Sequence, residues 1–171
     1  MTPATVRADV AHATRGRLNL GTLWAPCILG RSGIVAPKRE GDGGTPRGVL
    51  RLMFVFYRAD RLPRPRTALP ALATARHDGW CDAPADPAYN RLVRLPHAGG
   101  HERLWRDDGV YDIVIVTDHN TGPVRPGAGS AIFLHLTRDD GAPTAGCIAL
   151  SRRHMLALLS QARPGQPLRV G

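Results

Sequence analysis

The chain has 171 residues, 43% of them hydrophobic, which is enough for one domain spanning residues 1–171 and too few for two sizeable ones. No stretch approaches the roughly 20 apolar residues of a membrane span. Gly (19) and Pro (15) stay below the level of low-complexity disorder. Membrane-spanning, coiled-coil, collagen-like and disordered readings are thereby excluded. Lys and Arg outnumber Asp and Glu by 23 to 14, a net charge of +9 that suits an acidic partner such as nucleic acid, acidic lipid or acidic polymer.

Along the chain, the first twenty residues carry Arg7 and Arg15 but no apolar run after them, so no secretory signal is visible. Leu18–Trp24 is a weak strand candidate, followed by a turn-rich connector over Lys38–Gly48. Val49–Tyr57 is an apolar run rich in Val and aromatics and predicts a buried strand. Ala68–Arg76 reads as a weak helix. Asp112–Thr117 and Ala131–Thr137 predict two further β-branched strands, with turn-rich loops over Thr121–Gly129 and Arg138–Pro143. Ser151 is the predicted N-cap of one helix, with Met155, Leu156, Leu158, Leu159 and Ala162 on its apolar face and Pro164-Gly165 as the stop. Leu168–Val170 closes the chain as a short strand. The expected architecture is mainly β, a sandwich or partly open barrel with one C-terminal helix.

The positive charge is almost all Arg, with Lys38 the only Lys, and it is scattered without aromatic interleaving. A solvated basic surface is the better reading, and no nucleic acid is expected as a partner. The three cysteines (Cys27, Cys81, Cys147) cannot all pair within one chain, and buried free thiols are expected for Cys27 and Cys81. His97 and His101 stand four apart near Cys81 and Asp82, but the segment is broken by glycine and offers no second close-spaced pair, so no metal site is expected. Arg39–Pro46 lacks the ending of a phosphate-binding loop and reads as a tight turn at the lip of a groove. Trp80 and Trp105 either line that groove or plug the core. No cofactor is expected.

The segment Gly129–Leu150 carries the chemistry. It places His135 at the end of an apolar strand and Cys147 twelve residues later, after Thr144-Ala145-Gly146. A cysteine nucleophile needs a base within reach and donors for a developing oxyanion. A loop of this length can fold back to bring Cys147 to His135, with the Gly146 and Cys147 N–H groups as donors. The spacing leaves open that Cys147 is a small buried hydrophobe and His135 a strand histidine satisfied by backbone.

These residues resemble the signature of the L,D-transpeptidase catalytic domain (YkuD-type) family: a strand histidine, a variable loop, then Ser/Thr-His-Gly-Cys. The resemblance extends from about Cys27 to Leu150, through Cys27-Ile28-Leu29-Gly30-Arg31, Lys38–Pro46, Gly79-Trp80-Cys81-Asp82, Tyr89-Asn90, Glu102–Asp108, Tyr111-Asp112 and His119-Asn120. It implies a β-sandwich-like catalytic domain and an acyltransferase that cross-links or trims peptidoglycan stem peptides with release of D-Ala. By the same resemblance, Cys147 stands for the nucleophile, His135 for its base, the Leu136 carbonyl for the orienter of the imidazole, and Gly146 and Cys147 for the oxyanion site. Thr144 matches the Ser/Thr of the signature. The thiol is then expected to be activated by a neighbouring imidazolium. Three departures stand out: Ala145 replaces the usual His, Ile148-Ala149 replaces the usual Arg or Asn after the cysteine, and the loop is short. His119 or Asn120 is the candidate to supply the missing substrate donor, and Arg47, Arg106, Arg125 or Arg138 to clamp substrate carboxylates. A periplasmic or cell-wall location and a monomer follow as expectations, with a cytoplasmic location the alternative. A cysteine hydrolase of another peptide, or a non-catalytic module binding an acidic polymer, remain the competing functions.

Overall fold

The computed structural model describes residues 2–171. The chain begins with β1 (Ala4–Ala8), β2 (Arg15–Leu20) and β3 (Leu23–Ile28), followed by a short pair, β4 (Ile34–Val35) and β5 (Thr45–Pro46). Next come β6 (Gly48–Tyr57), β7 (Ala71–Ala73), β8 (Asp78–Cys81), β9 (Leu92–Arg94) and β10 (His101–Arg103). The last third holds β11 (Ile113–Thr117), β12 (Phe133–Leu136), β13 (Ile148–Leu150), α1 (Arg152–Gln161) and β14 (Gln166–Val170). The fold is mainly β with one helix, as the residue pattern predicts.

Nine strands run in the order β11-β12-β13-β3-β2-β1-β14-β6-β7, and β11 also pairs with β6. The sheet therefore closes on itself, with β7 hanging outside the ring, rather than splitting into the two layers of a sandwich. Closure is possible because β6 is long. One edge pairs with β11, while the other pairs first with β14 (Gly48–Leu52) and then with β7 (Val55–Tyr57). A closed ring leaves few exposed edges.

Strand periodicity divides the residues between two cores. In β11, β12 and β13 the side chains of Ile113, Ile115, Leu134, Leu136, Ile148 and Leu150 join the main core inside the ring. Their alternates Val114, Val116, Phe133 and Cys147 join a second apolar cluster with Trp80, Leu104 and Tyr111. The three-stranded sheet β10-β8-β9 supplies Trp80 to that outer layer. These strands are thus buried on both faces, which is why they read as unbroken apolar runs.

Besides the sandwich, three expectations about single elements are corrected. Leu18–Trp24 is not one strand: Gly21 and Thr22 turn the chain so that Leu20 pairs with Leu23 and a hairpin forms. Ala68–Arg76 is not helical, because Ala71–Ala73 docks as β7 along the edge of β6 left unfilled by β14. In α1, Met155, Leu158 and Leu159 are buried as expected, but Leu156 is 40% exposed, since one residue is a turn of about 100° away from that face. The Ser151 hydroxyl accepts from the His154 N–H at 3.3 Å. Arg152, an unfavourable charge at a helix start, is offset by Asp112, whose carboxylate takes Arg152 at 2.7 Å and Arg61 at 2.8 Å.

Candidate active site

β12 and β13 are parallel neighbours, with Leu134 opposite Ile148 and His135 opposite Ala149. Cys147 therefore lies across from Phe133, and residues two apart on a strand share a face, so Cys147 and His135 emerge diagonally on the outer face. The connecting loop is anchored where Thr144 N–H donates to Leu29 O (3.0 Å) and Arg31 N–H donates to Thr144 O (2.9 Å). Thr144 also locks the turn: its hydroxyl donates to Cys147 O at 2.6 Å and accepts from Gly146 N–H at 3.1 Å. Gly146 has φ 141°, and a Cβ there would meet the Gly44 carbonyl oxygen at 2.8 Å, so only glycine fits the position.

The Cys147 thiol donates to Ala131 O at 3.1 Å and its sulfur accepts from Phe133 N–H at 3.3 Å. His135 Nδ1 bonds the Leu136 carbonyl at 2.8 Å, which makes it the protonated nitrogen of the neutral ring and leaves Nε2 as the acceptor. Burial drives the pKa of His135 down to about 4. Burial first, then the nearby Glu102 carboxylate, pushes the Cys147 thiol up to about 12, against a smaller opposing effect of the Phe133 N–H. Both shifts disfavour charge, so the resting pair is a neutral thiol and a neutral imidazole. The imidazolium expected beside the thiol is not the resting form.

A cavity of about 280 Å³ opens over the pair, lined in part by Cys147, His135, Thr144, Ala145 and Ala149. Glu102 and Tyr111 also line it, together with Arg31, Arg106 and Arg138. Tyr111 donates its hydroxyl to Glu102 at 2.7 Å and tilts its ring over His135, with centroids 5.3 Å apart. Burial raises the Glu102 carboxyl above its ordinary value, opposed by the Tyr111 hydrogen bond, and burial raises Tyr111 as well.

Other residues singled out by sequence lie elsewhere. His119 Nε2 bonds Ala128 O at 3.0 Å, and Asn120 holds the following loop through Arg125 and Gly129; neither lines the cavity. Asn90 fastens the backbone of both residues. Its side chain bonds the His119 and Asn120 carbonyls (both 2.9 Å), the Trp80 indole (2.9 Å) and the Ala131 N–H (3.0 Å). Asn90 therefore holds the residue whose carbonyl takes the thiol. Arg47 and Arg125 are not at the cavity, whereas Arg106 and Arg138 are. The Arg39–Pro46 turn is not at the lip: it runs behind Cys147, where the buried Thr45 hydroxyl accepts from Gly30 N–H at 2.9 Å and donates to Cys147 O at 3.5 Å. Trp80 is core, edge-on to Phe133 at 5.1 Å, and Trp105 lies between Arg58 and Arg76. Cys27, Cys81 and Cys147 are all free and buried.

Asn90, Glu102, Tyr111 and Arg31 are the site residues that motif spacing did not assign a role. Each comes from a segment distant in sequence, and only Tyr89-Asn90, Glu102–Asp108, Tyr111-Asp112 and the Arg31 segment within the wider resemblance hinted at them. Away from the cavity, the fold brings Cys81, Asp86 and His97 together.

No curated protein matches the sequence. Among solved structures, the crystal structure of Mycobacterium tuberculosis L,D-transpeptidase 1 is similar, with 13% identity, a TM-score of 0.44, and coverage of 98% of this chain and 61% of that one. The structure of Bdellovibrio bacteriovorus Bd1075 is similar with 13% identity and a TM-score of 0.47, covering 99% of this chain and 48% of that one. This chain thus spans about half to three-fifths of those proteins. The sequence profile of the YkuD family, described as the L,D-transpeptidase catalytic domain, matches residues 6–170, and the chain belongs to that family.

Proposed function

We propose that the protein is an L,D-transpeptidase that acts on peptidoglycan stem peptides through a thioester on Cys147. The observation that carries this reading is the shared outer face of β12 and β13, where a thiol and an imidazole with a free Nε2 border one cavity. Substrate displaces the weak thiol contact to Ala131 O, and Nε2 of His135 takes the proton as sulfur attacks the peptide carbonyl before the terminal D-Ala. The Gly146 N–H is already held by Thr144, so the Cys147 N–H is the oxyanion donor of this reading. His135 then returns the proton to the departing D-Ala amine. An amine of a second stem takes the acyl group to form a cross-link, and water in its place gives trimming. Arg31, Arg106 and Arg138 bring positive charge to the cavity for the stem carboxylates, with the Arg106 fork engaged by Asp108 and Arg138 paired with Asp140. The periplasm or cell wall is the matching location.

Intact-mass measurement after incubation with a disaccharide-tetrapeptide tests the proposal. The expected result is an acyl adduct on Cys147 with D-Ala released, no adduct on Cys147→Ala, and a rate about 10²–10⁴-fold lower for His135→Ala. Equal D-Ala release by the Cys147→Ala protein overturns it.

A further inference from the structure

Cys81 ends β8, Asp86 lies in the loop leading to β9, and His97 lies in the loop from β9 to β10. The Cys81 sulfur, a carboxylate oxygen of Asp86 and a ring nitrogen of His97 all lie within 4.8 Å of one another. The three donors are chemically different and come from three separate stretches of chain. Cys81 is closed off from solvent, while the Asp86 and His97 side chains are 19% and 21% exposed, so the thiol lies beneath an acid–imidazole pair that can be reached from outside. His97 Nε2 is 3.0 Å from Asp86 Oδ2. A Cβ at Gly99 would come within 2.4 Å of Asp86 Oδ2 and 3.1 Å of His97 Nε2, so the backbone at Gly99 makes the room in which the two converge. None of these residues lines the cavity at Cys147.

We propose that Cys81, Asp86 and His97 form a binding site for one divalent transition-metal ion, with Zn²⁺ the best match and water in the fourth position. Tetrahedral zinc at its usual bond lengths of about 2.0–2.3 Å holds neighbouring donors about 3.3–3.7 Å apart, which these side chains reach by small rotations. A thiolate with one imidazole and one carboxylate suits zinc or cobalt, whereas magnesium and calcium prefer oxygen alone. Binding releases the Cys81 thiol proton to solvent, keeps His97 neutral, and replaces the direct His97–Asp86 hydrogen bond with two bonds to the metal. The ion ties β8 to both loops that follow it. Those loops carry β10, in which Glu102 sits opposite Trp80 and supplies a wall of the cavity.

Anaerobic titration of the reduced, chelator-stripped full chain with Co²⁺ tests the proposal, read by absorbance. The expected result is one equivalent of cobalt with an intense near-ultraviolet thiolate-to-cobalt band, displaced by Zn²⁺. Cys81→Ser removes that band, and His97→Ala and Asp86→Asn each weaken cobalt affinity by about tenfold or more. Cys147→Ala leaves band and affinity unchanged, which separates this site from the Cys147–His135 pair. No thiolate band in excess cobalt, a band that survives Cys81→Ser, or affinity unmoved by both His97→Ala and Asp86→Asn overturns the proposal. Should Cys81→Ser fail to fold, the wild-type band with the His97 and Asp86 variants still decides.

Discussion

Cys147 and Glu102 face one cavity, and the second strongest influence raising the thiol is the Glu102 charge. Neutralising that carboxylate without changing its shape removes the repulsion while Tyr111 keeps a hydrogen-bond partner. Glu102→Gln is expected to ionise Cys147 at lower pH and to raise its alkylation rate by iodoacetamide several-fold at pH 8, with burial still holding the thiol above an ordinary cysteine. An unchanged rate, measured by mass spectrometry of the Cys147 peptide, would show that Glu102 does not act on the thiol. Motif spacing singled out Cys147, His135, Thr144 and Gly146 because they lie within one short segment. It assigned no role to Glu102 or Asn90, whose importance comes from what they meet across the fold: Tyr111 in one case, Ala131 and Trp80 in the other.

At the scale of elements, α1 separates burial from hydrophobicity. Leu158 is fully buried beside Met155 and Leu159, whereas Leu156 is 40% exposed on the same helix. Leu158→Ala is expected to cost about 2–5 kcal/mol through lost burial and a cavity, and Leu156→Ala less than about 0.5 kcal/mol. Urea denaturation midpoints of the two variants provide the measurement, and equal losses would contradict the burial assigned to this face. The helix itself was readable from its cap and its i, i+3, i+4, i+7 spacing. The strands β6, β11 and β12 were readable from β-branched apolar runs. Ala71–Ala73 was misread because Ala-Leu-Ala has helical propensity, which an unfilled sheet edge overrode.

The whole molecule carries a pH signature. Below about pH 6.5 the unfolded chain protonates His135, which the fold holds neutral down to about 4. Stability therefore falls as pH drops across that interval, by on the order of 3 kcal/mol from this group. Cys27 and Cys147 are both pushed up to about 12, so above about pH 9 the unfolded chain loses protons that the fold retains, and stability falls again as pH rises. Urea midpoints are expected to be flat from about pH 7 to 8.5 and to decline on either side, with His135→Ala flattening the acid limb. An acid limb equally steep in His135→Ala would place its origin elsewhere.

The amino-acid order by itself determined the local elements and the thiol-and-imidazole segment, because periodicity, capping and short-range spacing are properties of neighbouring residues. Closure of the sheet was decided only in three dimensions, when β11 met β6, far behind it in the sequence. The same is true of the register that sets Cys147 opposite Phe133, the acidic wall supplied by Glu102 and Tyr111, and the gathering of Cys81, Asp86 and His97. Each depends on which strands and loops come to lie side by side, whether they are a loop apart, as β12 and β13 are, or far apart in sequence, as Glu102 and Cys147 are. Such pairings are selected by the burial of a whole core rather than by any local preference.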